Sequence, residues 1–275
     1  MCELFAMSSR LPATITYSLE EFAQRGGRTG PHSDGWGIAY YGDRDARVIR
    51  DVDAAADSAL VRFVGERGQR SHTVVSHIRK ATQGEVALRN TQPFSREVGG
   101  RIHLFTHNGD LAGVSDAPDL VLDTDRPIGE TDSEHAFCAL LTRIRRLWAD
   151  SAEFPPIDAR LETVVDFART LRELGPANFI YFDGDALFLH GHRRKHDDEE
   201  EPRPPGLHTL CRSCTVGGTA FETDGLTISG HNQHVVLAAT VPLTDEPWEA
   251  LTEGEIVVAR CGEIVARAEK EKASA

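Results

Sequence analysis

A cysteine directly follows the initiator methionine in the opening segment MCELFAMSS. A side chain as small as that of Cys2 permits removal of Met1, which would leave a thiol and a free α-amine on one residue. Reference pKa values are about 7.7–8.0 for an α-amine and about 8.5 for a thiol. Such a residue carries a nucleophile and its own weak base at neutral pH. The alternative is a cysteine without a chemical role, because a thiol reacts only in suitable surroundings.

An oxyanion hole is the first feature that the surroundings could supply. In THNGD, which follows the strand-like run RIHLF, Asn108 could offer an amide N–H and Gly109 an unobstructed backbone N–H to one point. Two such donors stabilise the oxyanion of an acyl-transfer intermediate. The alternative is a hairpin turn, since Asn-Gly is the commonest signal for one. The residues alone leave both interpretations open.

Two charged residues could hold the carboxylate and the ammonium group of an amino acid. Arg79 lies just beyond the apolar run TVVSHI, and Asp132 lies in the first turn of a predicted helix. A guanidinium can bind a carboxylate by two parallel hydrogen bonds, and an aspartate facing a cleft can bind an ammonium group. The alternatives are a surface charge for Arg79 and a helix-dipole role for Asp132. With Cys2 as nucleophile, the set fits an amino acid ending in a carboxamide, such as glutamine.

The elements that must position these residues are short strands and two long helices. Runs such as WGIAYY, RIHLFTH and HVVLAATVPL are nearly continuous in apolar residues, as expected for strands covered on both faces. One helix follows TDSE, in which Thr131 and Glu134 are spaced as a capping box. Another is predicted near 158–174, with weaker helices around 18–25 and 57–66. The pattern favours an α+β fold with helices outside stacked sheets.

Composition excludes several classes of protein. The 275 residues carry a net charge of −13, which argues against binding of nucleic acid. No apolar run is long enough to span a bilayer and no signal segment opens the chain, so we expect a cytoplasmic protein without membrane contact. Five cysteines suggest no disulfide framework, and the CxxC of Cys211 and Cys214 lacks the second pair that a zinc site needs. We predict structural cysteines and no metal site.

Five motifs resemble, in order and rough spacing, those of the class II glutamine amidotransferases, which are N-terminal nucleophile hydrolases. They are the MC start, SDGWG, SHIRKAT, HNG and TDSE, all within the first 140 or so residues. Within that family the chain looks like the small stand-alone YafJ-type group, which also resembles the amidohydrolase of ergothioneine biosynthesis. The longer stretches PHSDGWGIAYY, RKATQG, NTQPF and TDSEHAF extend the resemblance, and PPGLHTLCR near 204–212 also looks like that small group.

The resemblance implies a four-layer αββα sandwich formed by one domain over residues 1–275, with the charged, proline-rich segment 193–206 as a surface loop. It implies that Cys2 is the nucleophile after loss of Met1, with its amine as general base. Asn108 and Gly109 match the oxyanion hole of the family. Arg79 matches the residue that binds the glutamine carboxylate, and Asp132 the residue that binds its amino group.

The neighbours of these residues match the family less closely. Thr82 follows Arg79 at a substrate-binding position, and Gln83 stands where larger relatives carry a histidine. Trp36 and His77 lie in matching motifs and are expected to support the cleft rather than to react.

The implied reaction needs neither metal nor organic cofactor. The thiolate of Cys2 would attack the γ-carboxamide of glutamine, ammonia would leave, and water would release glutamate from a γ-glutamyl thioester. The ammonia could serve a separate ammonia-accepting enzyme. Two other readings stay open, namely hydrolysis of a larger γ-glutamyl amide and a glutamine-binding module without turnover, which a retained Met1 would favour.

Overall fold

The computed structural model describes residues 1–15, 22–149, 153–196, 200–214, 221–223, 226–228 and 233–269. Its helices are α1 (Ala59–Arg67), α2 (Asp132–Ala149) and α3 (Ile157–Leu174), with a 3-10 turn at Leu88–Asn90. Its strands are β1 (Glu3–Ile15), β2 (Trp36–Gly42), β3 (Asp45–Asp51), β4 (Arg70–Ile78), β5 (Phe94–Val98), β6 (Arg101–Gly109), β7 (Ala177–Phe182), β8 (Leu187–His190), β9 (His208–Cys214), β10 (Phe221–Thr223), β11 (Leu226–Ile228), β12 (Gln233–Ala239), β13 (Glu249–Ala250), β14 (Ile256–Arg260) and β15 (Glu263–Ala268).

The strands form two antiparallel sheets. The first has the order β13-β9-β12-β1-β4-β2-β3, with β11 also paired to β1 and to β10, and the second has the order β15-β14-β8-β7-β6-β5. Strand β1 is therefore central in the first sheet, between β12 and β4. Strand β6 lies between β5 and β7 in the second sheet. Strands β1 and β6, at whose ends Cys2 and Asn108 lie, are therefore each paired with a strand on both sides.

Apolar side chains bury both faces of each sheet. Neighbouring residues of β4 alternate, with Val75 in the core between the sheets and Val74 in the outer core beneath α1. On β6, Leu104 lies between the sheets and Phe105 packs under α2 and α3. The layer order is helix, sheet, sheet, helix, which confirms the predicted αββα sandwich.

Helix α2 begins with half of the predicted capping box. The Thr131 hydroxyl accepts a hydrogen bond from the Glu134 backbone N–H at 3.2 Å. The reciprocal bond is absent because the Glu134 carboxylate accepts from Arg96 at 2.6 Å and from the Gly129 N–H at 2.7 Å. Glu134 therefore ties the start of α2 to β5 and to the segment before the helix. Asp132 is the first residue of this helix.

The other predicted helices and strands are confirmed only in part. The helices near 158–174 and 57–66 are confirmed as α3 and α1, and the Ser58 hydroxyl caps α1 by accepting from Leu60 and Val61. The helix predicted around 18–25 falls partly outside the described residues, which omit 18–21. Residues 22–24 are helical. Strands β5, β9, β10, β11 and β13 were not predicted. Residues 197–199 of the predicted surface loop 193–206 lie outside the described residues. None of the described helices combines the length and apolarity that crossing a bilayer requires.

A buried ion pair joins α3 to the β7–β8 connection. Arg160 lies 2.8 Å from the Asp183 carboxylate and 2.9 Å from that of Asp185, and both Arg160 and Asp183 are almost completely buried. Because removal of one partner leaves the other buried and uncompensated, Arg160→Leu is expected to lower the free energy of unfolding by about 3–5 kcal/mol. Arg169→Leu, on the same helix, removes an exposed ion pair with Asp166. This substitution should change the free energy of unfolding by less than about 1 kcal/mol. Urea unfolding of both variants checks this, and equal losses would contradict it.

Candidate active site

The thiol of Cys2 lies at the beginning of the central strand β1. Glu3 pairs with Ile78, the last residue of β4, so the chain that leaves β4 passes directly beside Cys2. The Lys80 backbone N–H lies 3.4 Å from the Cys2 sulfur, and the sulfur is 3.5 Å from the Lys80 carbonyl oxygen. A thiolate at this position would accept the Lys80 N–H.

Opposing influences set the pKa of the Cys2 thiol. Burial is the largest and raises the pKa, because it disfavours the charged thiolate. The Lys80 N–H, the α-amine of Met1 and the Arg79 guanidinium lower the pKa, and the Asp132 carboxylate raises it. The net shift is upward, so the resting thiol is protonated and needs a base before it can attack.

Asn108 and Gly109 form the end of β6. They pair with Asn178 and Ala177 of β7, so Asn-Gly ends a strand here and the hairpin-turn alternative is wrong. The side-chain amide of Asn108 donates to the carbonyl oxygen of Cys2, which brings the ends of β1 and β6 together across the two sheets. The Asn178 amide in turn donates to the Asn108 carbonyl at 3.1 Å. A Cβ on Gly109 would collide with the Pro176 carbonyl oxygen, so only glycine fits.

Arg79 is buried and held by the backbone of the following loop. Its guanidinium donates to the carbonyl oxygens of Glu85, Gln83 and Gly84 at 2.9, 3.0 and 3.2 Å. Within the described ranges, no carboxylate lies within ion-pair distance of it. Since these three partners are neutral, the positive charge stays available to a ligand carboxylate.

Thr82 and Gln83 have different surroundings. Thr82 is exposed, and its side chain makes no hydrogen bond to the described part of the chain. The Gln83 amide donates to Asp110 at 2.7 Å, which links the loop after β4 to the loop after β6. Gln83 therefore lies where two site loops meet, although its side chain is already engaged.

Asp132 is buried at the start of α2 and accepts hydrogen bonds from neutral groups. Its carboxylate accepts from the backbone N–H of Leu111 and of Ser133, each at 2.8 Å. No cationic side chain pairs with it among the residues that the structure describes. The Ser133 hydroxyl lies 2.9 Å from Nδ1 of His107, next to Asn108. The carboxylate is thus fixed close to the end of β6 and has no counter-charge.

Trp36 and His77 are both buried. The Trp36 ring belongs to the outer core of the first sheet. His77 is completely buried on β4, and burial lowers its pKa well below the ordinary value. The His77 ring is therefore neutral at neutral pH, which is consistent with the expected supporting role.

His32 and Glu3 are residues near the site that the sequence motifs did not single out. Nε2 of His32 is 2.6 Å from the Met1 carbonyl oxygen and 3.8 Å from the Glu3 carboxylate. Glu3 is completely buried and pairs with Arg194 at 3.0 Å and with Arg25 at 3.3 Å. The only signals were an acidic residue opening an apolar strand and a histidine within PHSDGWG.

Comparison with known proteins accounts for this arrangement. The family described as glutamine amidotransferases, class II, matches residues 1–275. The chain belongs to the class II glutamine amidotransferase family. It is 36% identical over 261 residues to YafJ of Escherichia coli K12, an alignment that covers 93% of this chain and 96% of YafJ.

Solved structures support the assignment of this glutamine amidotransferase. The 2.0 Å crystal structure of a predicted glutamine amidotransferase from Pseudomonas aeruginosa is 35% identical, with a TM-score of 0.69 over 96% of this chain and 100% of that one. The glutamine phosphoribosylpyrophosphate amidotransferase of Bacillus subtilis is 15% identical, with a TM-score of 0.50 over 94% of this chain and 47% of that one. The second likeness concerns the fold alone.

Proposed function

We propose that this glutamine amidotransferase hydrolyses the γ-carboxamide of glutamine by way of Cys2, exposed as the N-terminal residue by loss of Met1. One observation carries the proposal. The Cys2 sulfur, the Asn108 amide and the two oppositely charged residues Arg79 and Asp132 converge from the ends of β1, β6 and β4 and the start of α2. A nucleophile, an oxyanion donor, a cation and an anion match the four polar features of glutamine.

The chemistry would proceed in two halves. The α-amine of Cys2 takes the thiol proton, directly or through one water, and the sulfur attacks the γ-carbonyl carbon. Asn108 and the Gly109 N–H stabilise the oxyanion. The C–N bond then breaks, the nitrogen leaves as ammonia with the proton returned by the amine, and a γ-glutamyl thioester remains. Water activated by the same amine attacks the thioester, which releases glutamate and regenerates the thiol.

The charges of Arg79 and Asp132 would select a free α-amino acid. Replacing either by a residue that cannot complete the ion pair leaves a ligand charge unpaired, at a cost of about 1.5–3 kcal/mol. Arg79→Met and Asp132→Asn are each expected to raise KM for glutamine about ten- to a hundredfold. Steady-state kinetics checks this. A substrate that lacks the α-amine should lose this sensitivity to Asp132→Asn, and unchanged KM values would contradict the assigned contacts.

Intact mass spectrometry with 6-diazo-5-oxo-norleucine, an electrophilic glutamine analogue, tests the proposal. We expect the purified protein to lack Met1 and to gain one adduct, and Cys2→Ala to gain none. Cys211→Ala, which removes an exposed cysteine on β9, is the matched control and should be labelled like the wild type. A retained Met1, or a processed protein without an adduct, would refute the proposal, and hydrolysis of a γ-glutamyl anilide but not of glutamine would show that a larger amide is the substrate.

A further inference from the structure

The carbonyl group of Met1 occupies a buried polar position beside His32. Nε2 of His32 lies 2.6 Å from the Met1 carbonyl oxygen, and Nδ1 lies 3.2 Å from the Arg25 carbonyl oxygen. Both partners are acceptors, so only a doubly protonated ring could donate to both. Burial lowers the pKa of His32 and opposes that form. A neutral His32 can therefore donate to only one of these two carbonyl oxygens, and the other is left without a ring donor.

Loss of Met1 would replace this acceptor by a donor. The nitrogen of Cys2 belongs to the same peptide group and lies about 2.3 Å from the Met1 oxygen by standard bond lengths, hence within about 5 Å of Nε2. After cleavage this nitrogen is an amine that carries N–H groups. A neutral His32 that keeps its Nδ1–H on the Arg25 carbonyl presents the Nε2 lone pair toward it. The Cys2 amine can then donate an N–H to the Nε2 lone pair of His32.

We propose that His32 positions the α-amine of processed Cys2 by accepting a hydrogen bond at Nε2, with its ring fixed by Nδ1–H donation to the Arg25 carbonyl. The inference rests on the proposed function, since it requires Cys2 as the N-terminal residue. One amine N–H is bound by His32, and the amine lone pair is thereby directed away from the ring. That lone pair takes the thiol proton, and the resulting ammonium returns it to the leaving nitrogen.

Other charged groups around His32 are less suited to this task. The carboxylate of Glu3, on β1, lies 3.8 Å from Nε2, but Arg194 and Arg25 bind it and the Thr240 hydroxyl donates to it. The α-amine of Met1, which processing would remove, also lowers the pKa of the His32 ring. With Glu3 held by two guanidinium groups, we assign the Nε2 lone pair of His32 as the acceptor for the Cys2 amine.

The test compares His32→Leu with His32→Gln, whose amide oxygen can accept the same hydrogen bond. His32→Leu is expected to lower kcat for glutamine about tenfold or more, with KM within about twofold of the wild type. The ammonium form of the amine loses a hydrogen bond, so its pKa falls and the acid limb of the pH–rate profile moves to lower pH. His32→Gln should restore most of the rate and the position of the limb.

The controls separate positioning from folding and from processing. His72→Leu, at an exposed histidine on β4, should leave rate and profile unchanged. A uniform loss in both His32 variants with an unmoved acid limb would overturn the inference, and so would retention of Met1 in His32→Leu, because His32 would then act on processing. If the wild type itself takes up no glutamine-analogue adduct, the proposed function fails, whereas an active wild type with insensitive His32 variants refutes this inference alone.

Discussion

Replacing Cys2 with alanine is expected to lower kcat/KM for glutamine hydrolysis by at least about 10⁴-fold, because the γ-glutamyl thioester can no longer form. Cys2→Ser should be almost as inactive, since a hydroxyl is far less acidic than a thiol and the weak α-amine cannot deprotonate it efficiently. The thiol is already difficult to ionise, because burial raises the pKa of Cys2. Release of glutamate, followed with purified variants, measures the loss.

Binding distinguishes a lost nucleophile from a lost fold in this experiment. Arg79 and Asp132 hold their positions through partners other than the Cys2 side chain, namely the loop carbonyls and the N–H groups of Leu111 and Ser133. Cys2→Ala should therefore still bind glutamine, as isothermal titration would show, whereas an unfolded variant would not. Activity above about 1% of wild type in Cys2→Ala would refute the assignment of the nucleophile.

The sequence predicted elements best where one simple pattern dominates. Helix α2 has apolar residues at helical spacing, and β6 and β7 are apolar on both faces because helices cover one side and the other sheet covers the second. Strands β5 and β9 lack such a pattern. In β9, Arg212 is buried because it pairs with Glu246, which is distant in sequence. A polar residue made acceptable by a remote partner cannot be recognised from its own segment.

The candidate site was likewise predicted only in part from the sequence. Motifs placed Cys2, Arg79, Asn108 and Asp132 on the list of candidates, and strand register explains why the first two lie together. The motifs did not indicate that the carbonyls of 83–85 bind the Arg79 guanidinium, because every residue type has a carbonyl. His32 was not predicted for the same reason, since its partners are the backbone oxygens of Met1 and Arg25. Contacts made by backbone atoms leave little trace in residue identity.

Asn108→Ala is expected to lower kcat about 10²–10³-fold with little change in KM, because an oxyanion donor acts mainly in the transition state. The variant also loses the hydrogen bond to the Cys2 carbonyl, so the beginning of β1 should become less ordered.

Gln233→Ala, which removes a buried amide on β12 of the first sheet, is the matched control and should lower thermal stability without lowering kcat. Parallel measurement of kcat, KM and Tm decides the matter. If Asn108→Ala loses kcat only in proportion to the fraction of unfolded protein, Asn108 is a structural residue. If it loses kcat while its Tm stays close to that of Gln233→Ala, the amide serves the oxyanion.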